Sequence, residues 1–254
     1  MDNPGKIYSF PESFSKTPTH YCPGCGHGII HKLLAQCIDE LGIQGRAIVV
    51  APVGCSVLIY NYIKVDGLEA AHGRAPAVAT GLKRVRKQGI VISYQGDGDL
   101  LAIGTAETVH AANRGEHITV IFVNNAIYGM TGGQMAPTTM KDQVTKTSPA
   151  GRNTAETGFP LRACEILDTL ENPCYIERCS IHDVKNILKT KKAVKKALTC
   201  QIEGRGYAFV EILSTCPTNW GITPEKSMEW VRDIMIPWYP LKCFRDKGEN
   251  RDAQ

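Results

Sequence analysis

Ile90-Val91-Ile92-Ser93-Tyr94-Gln95-Gly96-Asp97-Gly98-Asp99 and, further on, Ile118-Thr119-Val120-Ile121-Phe122-Val123-Asn124-Asn125 decide the fold. Each is a β-rich apolar run that stops abruptly, the first in a Gly/Asp turn and the second in two amides. Residues 104 to 114 between them have helical character, and Gly115 closes that segment. The order strand, turn, helix, strand, turn is a parallel βαβ unit. Both turns then fall at the carboxyl ends of their strands, on one edge of the sheet, where open α/β sheets place ligands. Asp97 and Asn125, 28 residues apart, converge on one point there. A carboxylate and an amide oxygen beside a Gly-rich turn suit Mg²⁺ and the diphosphate it carries. Taken singly, Gly-Asp-Gly and Asn-Asn are ordinary turn formers, so the signal lies in the pair at this spacing.

The totals set limits around that unit. At 254 residues the chain has room for one large α/β domain or two small ones. With no internal repeat or low-complexity linker, residues 1–254 read as a single domain. Hydrophobic residues at 43% and charged residues at 21% are ordinary for a soluble globular protein. The net charge is +4, and the lysines at 189 to 192 and 195 to 196 read as a solvated helix face, so no nucleic-acid partner is expected. No basic and apolar leader resembles a secretory signal, and no apolar run approaches the roughly 20 residues that span a bilayer. The expected location is cytoplasmic, with no membrane association. Ten cysteines in that compartment argue against a disulfide framework and for metal binding wherever they cluster.

Residues 1 to 20, with Pro4, Pro11 and Pro18, read as an extended arm. Cys22-Pro23-Gly24-Cys25 follows, then a helical stripe of Ile29, Ile30, Leu33, Leu34, Cys37, Ile38 and Leu41 that Gly42 ends. The CxxC pair thus precedes a helix N-terminus, where the dipole favours thiolates. Three readings compete for it. A thioredoxin-like pair lacks its preceding strand. A zinc site needs two further ligands, from His20, His27 or His31. An iron–sulfur cluster needs four thiolates, which distant loops can supply. Cys55 and Cys216 qualify, because each lies just past an apolar strand run, at 47 to 53 and 207 to 213. Cys37 reads as core filling, as do Cys174 and Cys179 in a strand-like run.

His72-Gly73-Arg74 leads into a helix of small residues, where imidazole, amide and guanidinium offer donors to a phosphate. Tyr128 to Gln134 and Pro137 to Thr139 read as a loop shaped around a ligand, and 140 to 158 as a structureless, mobile or partner-covered loop. Asp183 caps a lysine-rich helix to about Glu203. A Trp-containing helix near 225 to 235 and irregular, aromatic-rich chain complete the sequence.

The GDG…NN pair resembles the thiamin diphosphate fingerprint, which implies Mg²⁺ held by Asp97, Asn125 and the backbone carbonyl of Ile127. More broadly, HYCPGCGHG at 20–28, VGCS at 53–56, HGRAPAVATGLK at 72–83, GDGDLLAIG at 96–104, NNAIYGMTGGQMAPTT at 124–139 and CPTNWG at 216–221 resemble the β subunit of 2-oxoacid:ferredoxin oxidoreductases. The resemblance spans nearly the whole chain. It implies an α/β, doubly wound, mainly parallel sheet binding thiamin diphosphate, with a [4Fe–4S] cluster held in loops by Cys22, Cys25, Cys55 and Cys216. It also implies that Val53, Gly54, Cys55, Ser56, Gly98, Asp99, Gly129 and Met130 contact the cofactor, with His72 a cofactor or substrate contact.

The implied reaction is oxidative decarboxylation of a 2-oxoacid with coenzyme A, giving acyl-CoA, CO₂ and two electrons passed singly to ferredoxin. The Glu that thiamin enzymes place on the aminopyrimidine comes, in this family, from another domain. An α subunit is therefore expected, with γ and ferredoxin-like δ chains as further partners. The C-terminal stretch through Trp220, Trp230 and Trp238 is more similar to forms acting on branched-chain 2-oxoacids or 2-oxoglutarate than on pyruvate. Two rival readings remain: a non-oxidative thiamin decarboxylase or synthase, which leaves the loop cysteines idle, and a zinc-stabilised interaction module, which leaves the GDG…NN spacing idle.

Overall fold

The apolar runs become strands of one sheet in the computed structural model, which describes residues 9–248. The start of the N-terminal arm, with Pro4, lies outside the described residues. The strands are β1 (Ala47–Ala51), β2 (Asp66–Glu69), β3 (Ile90–Gly96), β4 (Thr119–Asn124), β5 (Tyr175–Ser180), β6 (Ala208–Leu213) and β7 (Lys242–Asp246). Their order across the sheet is β2-β1-β3-β4-β6-β5-β7. All pair in parallel except β7, which runs antiparallel to β5.

Side chains alternate along each strand and feed two cores. Val49, Ala51, Ile92, Tyr94, Ile121, Val123, Val210 and Ile212 pack under α1 (His27–Glu40) and, further on in the chain, a long lysine-rich helix. Val50, Val91, Val120, Phe122 and Phe209 pack under α2 (Ala75–Val85), α3 (Thr105–Asn113) and α4 (Ala163–Asp168). With helices on both faces, the central strands must be apolar throughout, which is why they read as continuous runs. The small Ala75 and Ala79 let α2 lie close to the sheet. Gly42 ends α1 with a φ of +62°. The long helix, α5 (Val184–Ile202), starts where the Asp183 carboxylate accepts the Asn186 N–H at 2.7 Å.

The expected lysine face is not wholly free. Lys191 and Lys195 pair with Glu40 on α1, and Lys196 with Asp246 on β7. Such half-exposed pairs contribute about 0–1 kcal/mol each. Two strands went unanticipated, because β2 is a fully exposed Asp-Gly-Leu-Glu segment and β7 a short edge with few apolar residues. Each exists through its neighbour's unpaired edge, not through its own pattern.

The reading of 140 to 158 as structureless is corrected. Its one regular element is the short helix Thr154–Thr157, yet buried Arg152 donates to the carbonyls of Ala136, Pro137, Thr139, Thr157, Gly158 and Phe159. Irregular chain leaves carbonyls without partners, and one guanidinium shares its five N–H groups among six of them. Among the described residues no helix is long and apolar enough to cross a membrane.

Arg178 on β5 is the costliest group to bury away from the carboxyl edge. Its Nε donates to Glu211 on β6 at 2.8 Å, and its two other nitrogens grip Glu165 on α4. Glu211 in turn accepts from the Asn124 amide at 2.7 Å, so the pair anchors the end of β4. Replacing Arg178 by Met strands a fully buried Glu211, and the expected loss is about 3–5 kcal/mol of unfolding free energy. Urea unfolding measures it; a loss below about 1 kcal/mol, the range of an exposed pair, would reduce the network to a surface contact.

Candidate active site at the carboxyl edge

Strands β1, β3, β4 and β6 are consecutive across the sheet, so the turns leaving their carboxyl ends lie side by side. The first three enclose a cavity of about 220 Å³. Val53, Gly54, Cys55 and Ser56 line it from β1, Asp97, Gly98 and Asp99 from β3, and Asn125, Ile127, Gly129 and Met130 from β4. His72 joins them from the turn before α2. Every residue that the resemblance marked for cofactor or magnesium thus meets at one place. Tyr128 and Thr131, from the loop read as shaped around a ligand, line it too, as does His27, which the sequence offered only as a zinc ligand.

Asp97 lies at the back of this cavity, 3% exposed. Its carboxylate accepts the Thr138 hydroxyl and, at 3.3 Å, the Asn125 backbone N–H. Burial nevertheless pushes its pKa up to about 7, against the lowering effect of those bonds. The Asn125 amide oxygen faces two other acceptors, the Asp97 carboxylate at 3.1 Å and the Ile127 carbonyl at 2.8 Å; turned over, its NH₂ would donate to both. The metal-free chain thus pairs these groups through the amide NH₂, and with the amide oxygen turned inward the same three residues offer the all-oxygen donor set of a hard cation. Ala126, with a φ of +56°, folds the chain so that Asn125 and Ile127 share this point. Trp220, whose Nε1 donates to the Asn125 carbonyl at 3.2 Å, holds the turn from outside. The sequence marked Trp220 and Thr138 only as members of longer motifs; nothing local tied either to the metal turn.

Asp99 has a different task. It accepts the Gly73 N–H at 2.7 Å and the Gln95 amide at 2.5 Å, tying the His72 turn to the β3 turn. Only glycine suits position 73: its φ is +81°, and a Cβ would sit 2.4 Å from Ile103. His72 Nδ1 donates to the Val53 carbonyl at 2.7 Å, which leaves Nε2 as its second polar atom. Arg74 does not line the cavity, as it pairs with Glu107 on α3. The phosphate reading of that guanidinium gives way to an ion pair at the start of α2.

A second cavity, of about 170 Å³, adjoins the first and shares Cys55, Asn125, Gly129 and Met130 with it. Cys22, Cys25, Cys55 and Cys216 all line this one. Burial pushes Cys25 up to about 11 and Cys55 up to about 12, and each is raised further by the neighbouring thiols. A backbone hydrogen bond from His27 at the start of α1 lowers Cys25, so the helix contributes as expected but burial outweighs it. A Cβ on Gly129 would fall 2.9 Å from the Cys55 sulfur and 3.5 Å from that of Cys216, so the two thiols flank one backbone point.

Among the described residues no three His, Cys, Asp or Glu are gathered closely enough to hold a single metal ion, the four cavity thiols included. His20, His27 and His31 instead bond to Tyr62, Tyr94 and Tyr21. Four thiols spread around a cavity, not gathered on one point, fit a multi-iron cluster. Cys37, Cys164, Cys174, Cys179 and Cys200 are buried in the cores, and Cys243 is exposed on β7.

Fold and cavity together define a thiamin diphosphate-binding α/β domain, and comparison with known proteins narrows the class. Residues 52–212 match the family described as thiamine pyrophosphate enzyme, C-terminal TPP binding domain. The chain is 50% identical to ketoisovalerate oxidoreductase subunit VorA of Methanothermobacter marburgensis, over 99% of its own length and 52% of that relative's. It is 36% identical to 2-oxoglutarate synthase subunit KorB of Methanocaldococcus jannaschii, over 81% of this chain and 72% of KorB. A solved 2-oxoglutarate:ferredoxin oxidoreductase from Magnetococcus marinus, with 2-oxoglutarate, coenzyme A and succinyl-CoA bound, superposes with a TM-score of 0.76. It is 25% identical and covers 96% of this chain and 87% of its own. The chain belongs to the 2-oxoacid:ferredoxin oxidoreductase subunits that carry the thiamin diphosphate-binding domain. It spans about half the length of the ketoisovalerate oxidoreductase relatives it matches.

Gly129→Ala tests the wall between the cavities. The added methyl must displace the Cys55 sulfur, an overpacking expected to cost about 1–3 kcal/mol. Thermal denaturation checks this, and an unchanged melting temperature would mean the loop simply gives way.

Proposed function

We propose that this chain is the cofactor-binding β subunit of a coenzyme A-dependent 2-oxoacid:ferredoxin oxidoreductase, with a branched-chain 2-oxoacid as substrate. The adjoining of the two cavities carries the reading: magnesium-type oxygens line one, four thiols line the other, and they share a wall. When bound, thiamin diphosphate supplies the stabilisation of negative charge that 2-oxoacid decarboxylation needs, and a [4Fe–4S] cluster supplies one-electron steps.

The chain's own residues have distinct tasks. Asp97, Asn125 and the Ile127 carbonyl hold Mg²⁺ and so fix the diphosphate. Val53 to Ser56, Gly98, Asp99, Gly129 and Met130 form the walls around the cofactor. His72, fixed through Nδ1, offers Nε2 to cofactor or substrate. Cys22, Cys25, Cys55 and Cys216 hold the cluster. The fit of both groups rests on donor chemistry: a carboxylate, an amide and a carbonyl converging within 3.1 Å, and four thiols on one cavity.

Partner chains follow from what the cavity lacks. Asp97 and Asp99 are the carboxylates among the described residues lining it, and both are engaged. In this reading the Glu for the aminopyrimidine comes from an α subunit, with γ and ferredoxin-like δ chains and ferredoxin as further partners. The single sheet supports treating residues 1–254 as one cofactor-binding unit, active only in the assembly. The branched-chain substrate rests on the 50% identity to a relative named ketoisovalerate oxidoreductase. A cytoplasmic location accords with ferredoxin as electron acceptor.

The assembled complex should reduce a viologen dye with coenzyme A fastest on 2-oxoisovalerate, ahead of 2-oxoglutarate, pyruvate and phenylpyruvate. The isolated chain should be inactive; turnover by the chain alone would defeat the subunit reading. Iron and sulfide analysis, with an absorbance band in the visible, should find a cluster, whereas zinc without iron would defeat it. Asp97 supplies a further test, since its pKa lies near 7. Below that value Mg²⁺ must displace a proton, so magnesium-dependent cofactor affinity should weaken about tenfold per pH unit, measured calorimetrically. The metal-free fold should behave oppositely. The folded carboxyl keeps a proton that the unfolded chain has released, so stability falls as pH rises from the ordinary carboxylate range to about 7.

A further inference from the structure

The short helix Pro217–Trp220 carries two adjacent side chains that reach the thiol cavity and the Asn125 turn. Trp220 holds the Asn125 turn, as described above. Asn219 lines the thiol cavity, and its amide nitrogen lies 3.3 Å from the Cys216 sulfur and 3.2 Å from the Gly129 carbonyl. The backbone N–H of Asn219 bonds to the same sulfur. Space around the side chain is taken up on both sides. A Cβ on Gly129 would fall 3.6 Å from the Asn219 nitrogen, and one on Gly133 3.2 Å from its amide oxygen. Two glycines therefore admit the amide and set its rotation: the NH₂ points at sulfur and carbonyl, the oxygen at the Gly133 side. Nothing in the fold requires this amide, because the helix and the Gly129 loop both have backbone bonds of their own, Trp220 N–H to Cys216 and Gly132 N–H to Gly129.

From this geometry we infer that Asn219 is a positioning residue for electron transfer. Its amide donates to the Cys216 sulfur, raising the reduction potential of the cluster that sulfur ligates, and its second N–H locks the loop wall shared with the cofactor cavity. The inference rests on the cluster reading above. The physical reason is charge. Reduction adds an electron to a cluster already negative at its sulfurs, and an N–H dipole aimed at a ligand sulfur stabilises the reduced form more than the oxidised one. The residue after Asn219 secures Asn125, so one short helix touches both the Cys216 sulfur and the Asn125 turn.

The test uses the full chain with iron and sulfide incorporated anaerobically, as wild type, Asn219→Asp and Asn219→Leu, two replacements of similar size that remove the donor. Iron and sulfide content come first, then the midpoint potential by redox titration followed by electron paramagnetic resonance. A full iron complement in all three, with a midpoint more negative in both variants and lowest in Asn219→Asp, is expected. A merely structural role would not move the potential, so unchanged or more positive midpoints with iron retained overturn the inference. Loss of iron from both variants, with circular dichroism intact, also overturns it, since it would make Asn219 an assembly residue and not a tuning one. A wild-type chain that takes up no iron removes the cluster reading itself, and this inference with it; that result is distinct from any of the others.

Discussion

Asp97 is a carboxylate enclosed on every side, and the active edge is arranged around the cost of keeping it there. Taking such a group out of water costs on the order of several kcal/mol unless charge or hydrogen bonds replace the solvent. The Thr138 hydroxyl and the Asn125 N–H replace part of it, yet the carboxyl still holds its proton up to about pH 7. Beside it, the Asn125 amide and the Ile127 carbonyl converge on the same carboxylate, and the amide NH₂ can donate to both. A divalent cation, under the proposed reading, would replace that bonding with the amide oxygen turned inward and would favour the ionised carboxylate.

That arrangement depends on residues well behind the cavity. Arg178 and Glu211, both fully buried, hold the Asn124 amide and thus the end of β4. Ser93 and Gln95 project from β3 and brace Asp99, which in turn holds the Gly73 turn. Trp220 closes on Asn125 from the far side. Polar side chains inside an otherwise apolar sheet are costly unless fully paired, and here each is paired with the next, ending at a residue of the cavity. The site is held by a chain of satisfied groups and not by the loops alone.

The two cavities share a wall, because Cys55 and Gly129 line both. Glycine at 129 is what permits the thinness, since any side chain there would meet two of the four thiols. Under the proposed reading, one sheet edge would carry both the diphosphate cavity and the thiol cavity, and the chemistry at the aminopyrimidine would fall to a partner.

The central strands, the helices between them and the capping residues Gly42 and Asp183 were legible in the sequence, because period-2 and helical patterns and turn chemistry are local. So was the gathering of Asp97, Asn125, Cys55 and Cys216, since a parallel sheet sends the carboxyl ends of its strands to one edge whatever else the chain does. The edge strands β2 and β7 were not legible, for their pairing comes from a neighbour's free edge. Nor was the folding of 140 to 158 around Arg152, whose six partners are backbone carbonyls that any residue would present alike. Tertiary structure alone decided that Arg74 turns to Glu107, that Trp220 reaches Asn125 and that Asn219 reaches a thiol. Sequence by itself determined which groups share the edge, because topology follows from local pattern. Which of them touch depended on packing between segments far apart in the chain, and no local pattern encodes that.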